Sequence, residues 1–202
     1  MRTLFAFLVL LVLPSILNAQ TFPKEKYKSG KVTWYGIDYT KIQMIGADGF
    51  NDTDNIVKIY FDAWNNFVLS EPKKYDIRKN LIKQDIIINL DLVKEHNALV
   101  DPNKLVVSKI NSIGQDEVNV LLDSYDFKNN TGIGVMLVAE YYNKNNVTAS
   151  YLYIVFDVQS KSILFSRRYY SNPKGFGFRN YWAYTIYRTL NSIGKDMKKA
   201  MK

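Results

Sequence analysis

Carboxylates are the side chains of this sequence with the clearest capacity for chemistry. Four of them stand far apart along the chain: Asp38, Asp62, Glu140 and Asp157. Two carboxylates brought together by folding could act as the acid and the base of a hydrolase. Their spacing places no two of them on one element, and serine-hydrolase, zinc-peptidase and P-loop motifs are absent. The sequence therefore predicts no catalytic residue, and a carboxylate-dependent hydrolase stays open as an alternative.

Metal and thiol chemistry have little support in the composition. The single histidine, His96, stands between Glu95 and Asn97 and is expected to be an exposed loop residue. The chain has 0 cysteines, which excludes disulfides, thiol catalysis and thiolate metal sites. We predict no metal and no cofactor.

The segment 174–182 is the most distinctive local pattern, because two glycines flanked by cations precede a helix. Free backbone N–H groups at a helix start, next to cations, could hold an anion. Alternatively, the glycines let a strand turn sharply into the helix while Phe176 and Phe178 fill the core. A nucleotide-binding fingerprint is not matched. The candidate binding residues here are Lys174, Gly175, Gly177, Arg179, Asn180 and Tyr181.

Alternation of residue types over 32–45 predicts a strand. In that alternation Trp34 and Asp38 share one face, with Gly36 between them. A glycine inside a strand indicates a bulge or a close backbone neighbour. A charge beside a tryptophan is unusual on a buried face, so Trp34 and Asp38 join the candidate binding residues.

The first nineteen residues have the layout of a secretory signal peptide cut after Ala19. The apolar run is too short to span a bilayer, and no cysteine follows it for lipid attachment. We therefore expect a periplasmic or secreted protein that is not a lipoprotein. Residues 20–30 are polar and predict a flexible lead, followed by a single globular domain over 31–202.

Charge and aromatic content suggest the kind of partner. The net charge is +8, and there are 15 tyrosines, 11 phenylalanines and 3 tryptophans. An exported basic protein favours anionic polymers or lipid headgroups, and exposed tyrosines stack on sugars or peptides. The cations could equally be solvated and the tyrosines packed with their tips in water. Predicted export argues against nucleic acid, and the oligomeric state is not predicted.

The order of elements predicts an α+β layered domain. We expect a mixed, mainly antiparallel sheet of about four to six strands, ending in a three-strand meander and packed by about three to four helices. The middle meander strand is apolar on both faces, which indicates cover on both sides. Strands are predicted at 32–45, 85–93, 105–110, 134–142, 149–158 and 162–170, and helices at 54–69, 115–125 and 179–198, with a possible short helix in 73–83.

Four motifs give the chain a resemblance to a family of exported bacterial proteins that has no assigned function. They are Val32–Asp38 (VTWYGID), 63–66 (AWNN), 132–134 (GIG) and 175–183 (GFGFRNYWA). The resemblance extends over nearly the whole mature chain and implies an envelope location without an activity. The leading hypothesis is a non-enzymatic exported protein that binds an envelope protein or an anionic or glycan polymer. The alternative is a carboxylate-dependent hydrolase acting on an envelope polymer.

Overall fold

The computed structural model describes residues 21–128 and 130–202, so the predicted signal peptide lies outside the described residues. One mixed sheet organises the chain, and its strands are β1 Val32–Asp38, β2 Gln43–Ile45, β3 Ile87–Ile88, β4 Ile133–Asn143, β5 Thr148–Asp157 and β6 Ile163–Ser171. Their order in the sheet is β3-β1-β4-β5-β6, with β2 paired to β4 beyond the end of β1. β1, β2 and β3 run in parallel pairings, whereas β4, β5 and β6 form an antiparallel meander. The predicted α+β fold class is confirmed.

Helices cover both faces of the sheet and exceed the predicted number, because short helices occupy several connections. The α-helices are α1 Lys24–Ser29, α2 Thr53–Asn55, α3 Phe61–Ser70, α4 Ile77–Leu81, α5 Asp91–Asn97, α6 Gln115–Ser124 and α7 Phe178–Ala200. A π-helical stretch, Ile56–Tyr60, joins α2 to α3. No helix in the described ranges is long and apolar enough to cross a membrane.

The sheet separates two cores, as the apolar middle strand predicts. Tyr151 and Tyr153 of β5 enter the main core under α3, α4 and α7. Leu152 and Ile154 enter the second core under α6. The predicted apolar stripe of α7 is buried in the main core; it comprises Trp182, Ile186, Leu190, Ile193 and Met197.

Three predicted segments differ from the structure. In 85–93 only Ile87–Ile88 joins the sheet, because the Asn89 side chain accepts from the Asp91 N–H and α5 begins there. In 105–110 only Val106 forms a bridge. The described part of the lead contains α1, where the buried Tyr27 hydroxyl donates to a carbonyl of α4 at 2.8 Å. Long-range contacts therefore decide the lead and 105–110, whereas a local hydrogen bond begins α5 in 85–93.

The predicted bulge in β1 is present and changes which way Asp38 points. Trp34 pairs with Val135 and Gly36 with Met136, so Tyr35 is the extra residue. Gly36 has φ +98°. The inserted residue reverses the alternation, so Asp38 faces the second core while Trp34 faces the main core. The expectation that they share a face is wrong.

Two buried amides close the edge of β1 where β3 ends. The Ile37 N–H donates to Asn65 Oδ1 at 2.7 Å, and Asn65 Nδ2 donates back to the Ile37 carbonyl at 2.9 Å. Asn97 repeats the pattern, accepting from the Tyr39 N–H at 2.7 Å and donating to the Ile37 carbonyl at 3.0 Å. These side chains stand in for a neighbouring strand, so buried backbone groups stay paired. The motifs around Gly36 and Asn65 therefore meet in the fold.

Candidate functional site

The four candidate carboxylates are held by four different sets of partners. Asp38 is fully buried without a cation and accepts from three donors. The others form ion pairs on separate elements. The partners are Tyr125 and Thr40 for Asp38, Lys94 for Asp62, Arg168 for Glu140 and Lys26 for Asp157. Over the described part of the chain, no group of three or more histidine, aspartate or glutamate residues could hold a metal ion.

His96 lies at the end of α5 and is half-buried, rather than being exposed in a loop. Its ring stacks on Tyr125 with centroids 3.8 Å apart. Burial and the neighbouring Asp38 carboxylate raise the pKa of Tyr125, so this hydroxyl stays protonated and donates to Asp38 at 2.5 Å. The arrangement stabilises a buried carboxylate and links α5 to α6 and β1.

The two phenylalanines of the glycine loop before α7 have different environments, one in the core and one in solvent. Gly175 and Gly177 have φ +119° and +77°, values that favour glycine. Phe178 packs against Phe50 and other aromatic side chains, as predicted. Phe176 is 95% exposed, so the expectation that it fills the core is wrong.

The two cations that flank this loop have different neighbours. The Arg179 guanidinium lies 4.6 Å from the ring centre of Phe67, and the Arg179 carbonyl accepts from Trp64 Nε1 at 3.0 Å. Lys174 instead lines a pocket between β6 and α7. The start of α7 is therefore not a point where both cations converge on an anion.

The remaining predicted binding residues are scattered. Asn180 is exposed, and the half-buried Tyr181 carries the Lys144 ammonium 4.1 Å above its ring. Trp34 is only 1% exposed and Asp38 is fully buried, on opposite faces of the sheet. The structure thus brings together the loop residues but separates them from Trp34 and Asp38.

A different group of side chains comes together along the line where edge strand β6 meets α7. We call this line the β6–α7 seam. Near the start of α7 it opens into a pocket of about 270 Å³, the proximal pocket. The residues that line it include Tyr170, Lys174, Tyr184, Arg188 and Ser192. Lys174, Arg188 and the Tyr184 ring therefore border one opening, whereas Tyr170 lines it from the edge of β6 with its side chain on the opposite face, near Tyr141 and Arg168.

Farther along the seam, near the end of α7, lies the distal pocket of about 400 Å³. Its floor is aromatic and its rim is charged. The principal side chains are Phe22, Tyr153, Phe165, Arg167, Tyr169, Asp196 and Lys199. Phe22 reaches this pocket from the segment that the sequence predicts as a flexible lead.

Charge along the seam is predominantly positive. Lys174, Arg188 and Lys199 have no ion pair among the described residues. Asp196 is the one carboxylate lining either pocket, and it pairs with Arg167 at 2.9 Å. Burial and Asp196 raise the pKa of Tyr169, whose hydroxyl donates to that carboxylate at 3.0 Å. The seam can therefore offer cations and aromatic rings to an anionic ligand.

The sequence contains a signal for this site. Residues four apart on a helix lie on one face, and α7 presents such a polar stripe beside its buried stripe. The stripe comprises Tyr184, Arg188, Ser192 and Asp196. The sequence does not show that β6 lies beside this stripe. Only the fold makes β6 an edge strand, with no described strand beyond it.

Comparisons with known proteins add no family assignment. No protein-family model matches the chain, and no curated protein matches it. The chemistry of the seam therefore carries the functional conclusion.

Proposed function

We propose that the protein is an exported, non-enzymatic binding protein that holds a linear anionic glycan of the bacterial envelope in the β6–α7 seam. The observation that carries this proposal is the proximal pocket, where Lys174 and Arg188 have no ion pair among the described residues and lie beside Tyr184. Export rests on the predicted signal peptide and on the family resemblance.

The residue types of the proximal pocket suit a charged sugar. A tyrosine ring offers an apolar face for stacking and a hydroxyl for hydrogen bonding. Arg188 presents a planar fork that matches carboxylate or phosphate groups, and Lys174 supplies a mobile point charge. An uncharged glycan would contact the aromatic ring without using the two cations, so we infer an anionic glycan.

The length of the seam supports a polymer over a single small anion. Tyr184 and Lys199, which line the two pockets, are fifteen residues apart along α7. At about 1.5 Å per residue that is about 22 Å of helix. The distal pocket continues the surface with the exposed cations Arg167 and Lys199, so successive units of one polymer chain can occupy both pockets.

Hydrolysis has less support than binding. A glycosidase needs two carboxylates flanking the scissile bond. Asp196 is the one carboxylate that lines either seam pocket, and it already accepts hydrogen bonds from Arg167 and Tyr169. The hydrolase alternative would gain support only from release of reducing ends during incubation with the polymer.

The test is binding of fluorescent carboxymethyl-dextran, with uncharged dextran as the matched ligand. We expect the wild type to prefer the anionic polymer and to lose affinity as salt rises. The double variant Lys174→Gln/Arg188→Gln should bind at least about tenfold more weakly, since each charge-assisted contact contributes about 1.5–3 kcal/mol before screening.

A control variant of identical net charge isolates the site. Lys41→Gln/Lys73→Gln removes two exposed cations that lie outside both pockets. We expect it to bind within about twofold of wild type. Equal weakening in the two double variants, or equal affinity for uncharged dextran, would contradict the proposed site.

A further inference from the structure

Phe176 presents its side chain to solvent more completely than any other large apolar residue in the described ranges. Its exposed fraction is 95%, against 82% for Leu99. Gly175 and Gly177, both with positive φ, hold it at the apex of the loop. An exposed phenylalanine costs free energy in water, which makes this position a candidate contact surface.

Aromatic packing and a hydrogen bond hold the residues that follow Phe176 in place. The Phe178 ring lies 5.1 Å from Tyr60, 5.9 Å from Phe50 and 6.0 Å from Trp64, measured between ring centres. The Arg179 carbonyl is fixed by Trp64. Phe176 is therefore presented from an anchored support, which lowers the entropic cost of docking it.

The β4–β5 turn adds a second apolar side chain beside the loop. Val147 is 41% exposed and has φ +52°, a conformation that β-branched residues rarely adopt. Its carbonyl accepts from Asn172 Nδ2 at 2.8 Å, which ties the turn to the loop.

Three cations belong to the same two segments as these apolar side chains. Lys144 belongs to the same turn, and Lys174 and Arg179 flank the glycine loop. All three are exposed and none has an ion pair among the described residues. The nearby carboxylates of Asp48 and Asp52 line a groove that is bordered by Phe178.

We propose that this end of the molecule docks on an anionic lipid surface, with Phe176 inserted at headgroup depth. The tip surface consists of Lys144, Val147, Lys174, Phe176 and Arg179. Aromatic rings partition to the membrane interface, and lysine and arginine near the surface are attracted by anionic headgroups. One aromatic ring with a few cations gives weak, reversible attachment.

The experiment places a fluorophore at the tip. Trp34, Trp64 and Trp182 are each at most 1% exposed, so the new indole of Phe176→Trp is the one positioned to meet lipid. Vesicles of equal parts phosphatidylcholine and phosphatidylglycerol should shift its emission to shorter wavelength, and pure phosphatidylcholine should shift it much less. No shift with the anionic vesicles would overturn the proposal.

Matched variants separate this site from the seam. Phe176→Ser should weaken co-sedimentation with the anionic vesicles about tenfold or more and leave carboxymethyl-dextran binding unchanged. Leu99→Ser, at an exposed leucine elsewhere, should leave co-sedimentation unchanged. Equal losses in these two variants, or loss of dextran binding with Phe176→Ser, would assign Phe176 a structural role and reject the membrane contact.

Discussion

Replacing Arg168 with methionine is expected to lower the free energy of unfolding by roughly 3–5 kcal/mol, because it leaves a buried carboxylate without its cation. Glu140 is 2% exposed. Arg168 donates to both of its oxygens, at 2.7 and 2.8 Å, and Ser150 donates to one at 2.6 Å. The same arginine also donates to the Ile113 carbonyl at 2.9 Å. Urea unfolding followed by circular dichroism measures the loss.

The neighbouring arginine is the matched control. Arg167 pairs with Asp196, whose side chain is 32% exposed, so water can replace much of the lost interaction. Arg167→Met should cost less than about 1 kcal/mol. The double variant Glu140→Leu/Arg168→Met should recover most of the stability, since no buried charge remains. If Arg168→Met and Arg167→Met lowered the free energy of unfolding by similar amounts, the buried Glu140 carboxylate would not be the cause of the loss in Arg168→Met.

Alanine at Gly36 should lower the free energy of unfolding by roughly 2–4 kcal/mol. The backbone there has φ +98°, and an added Cβ would lie 2.5 Å from Asn65 Oδ1 and 2.8 Å from a Val93 methyl. Asn65 cannot move aside without leaving the Ile37 N–H unpaired in the core, since Asn97 reaches only the Ile37 carbonyl. Thermal and urea unfolding both report this change.

Gly177→Ala is the control that measures backbone strain without the steric clash of an added Cβ. Gly177 also has positive φ, +77°, but an added Cβ would meet nothing within 4 Å. Gly177→Ala should therefore cost only the strain, roughly 1–2 kcal/mol. A cost for Gly36→Ala no larger than this would contradict the role given to the Gly36–Asn65 contact.

The parts of the fold that the sequence predicts correctly are those whose apolar pattern is local. The helix over 53–70, the meander and α7 each carry a full periodic stripe. The failures occur where a distant group decides the outcome. The apolar run 85–93 resembles a strand, yet side chains of Asn65 and Asn97 take the edge of β1 that a longer β3 would need.

The site is harder to predict than the fold for a similar reason. The glycine loop is visible in the sequence, but its cations go to different neighbours. One bulge at Tyr35 is enough to turn Asp38 away from Trp34. The seam depends on which strand lies at the sheet edge, so neither Arg167 nor Asp196 stands out before the fold is known.

Hydrogen exchange with and without carboxymethyl-dextran tests the central claim most directly. Binding in the seam predicts slower amide exchange in β6 and in the last four turns of α7, with no change in α6 on the second face. Protection centred on α6, or binding without any protection of β6 and α7, would contradict the account.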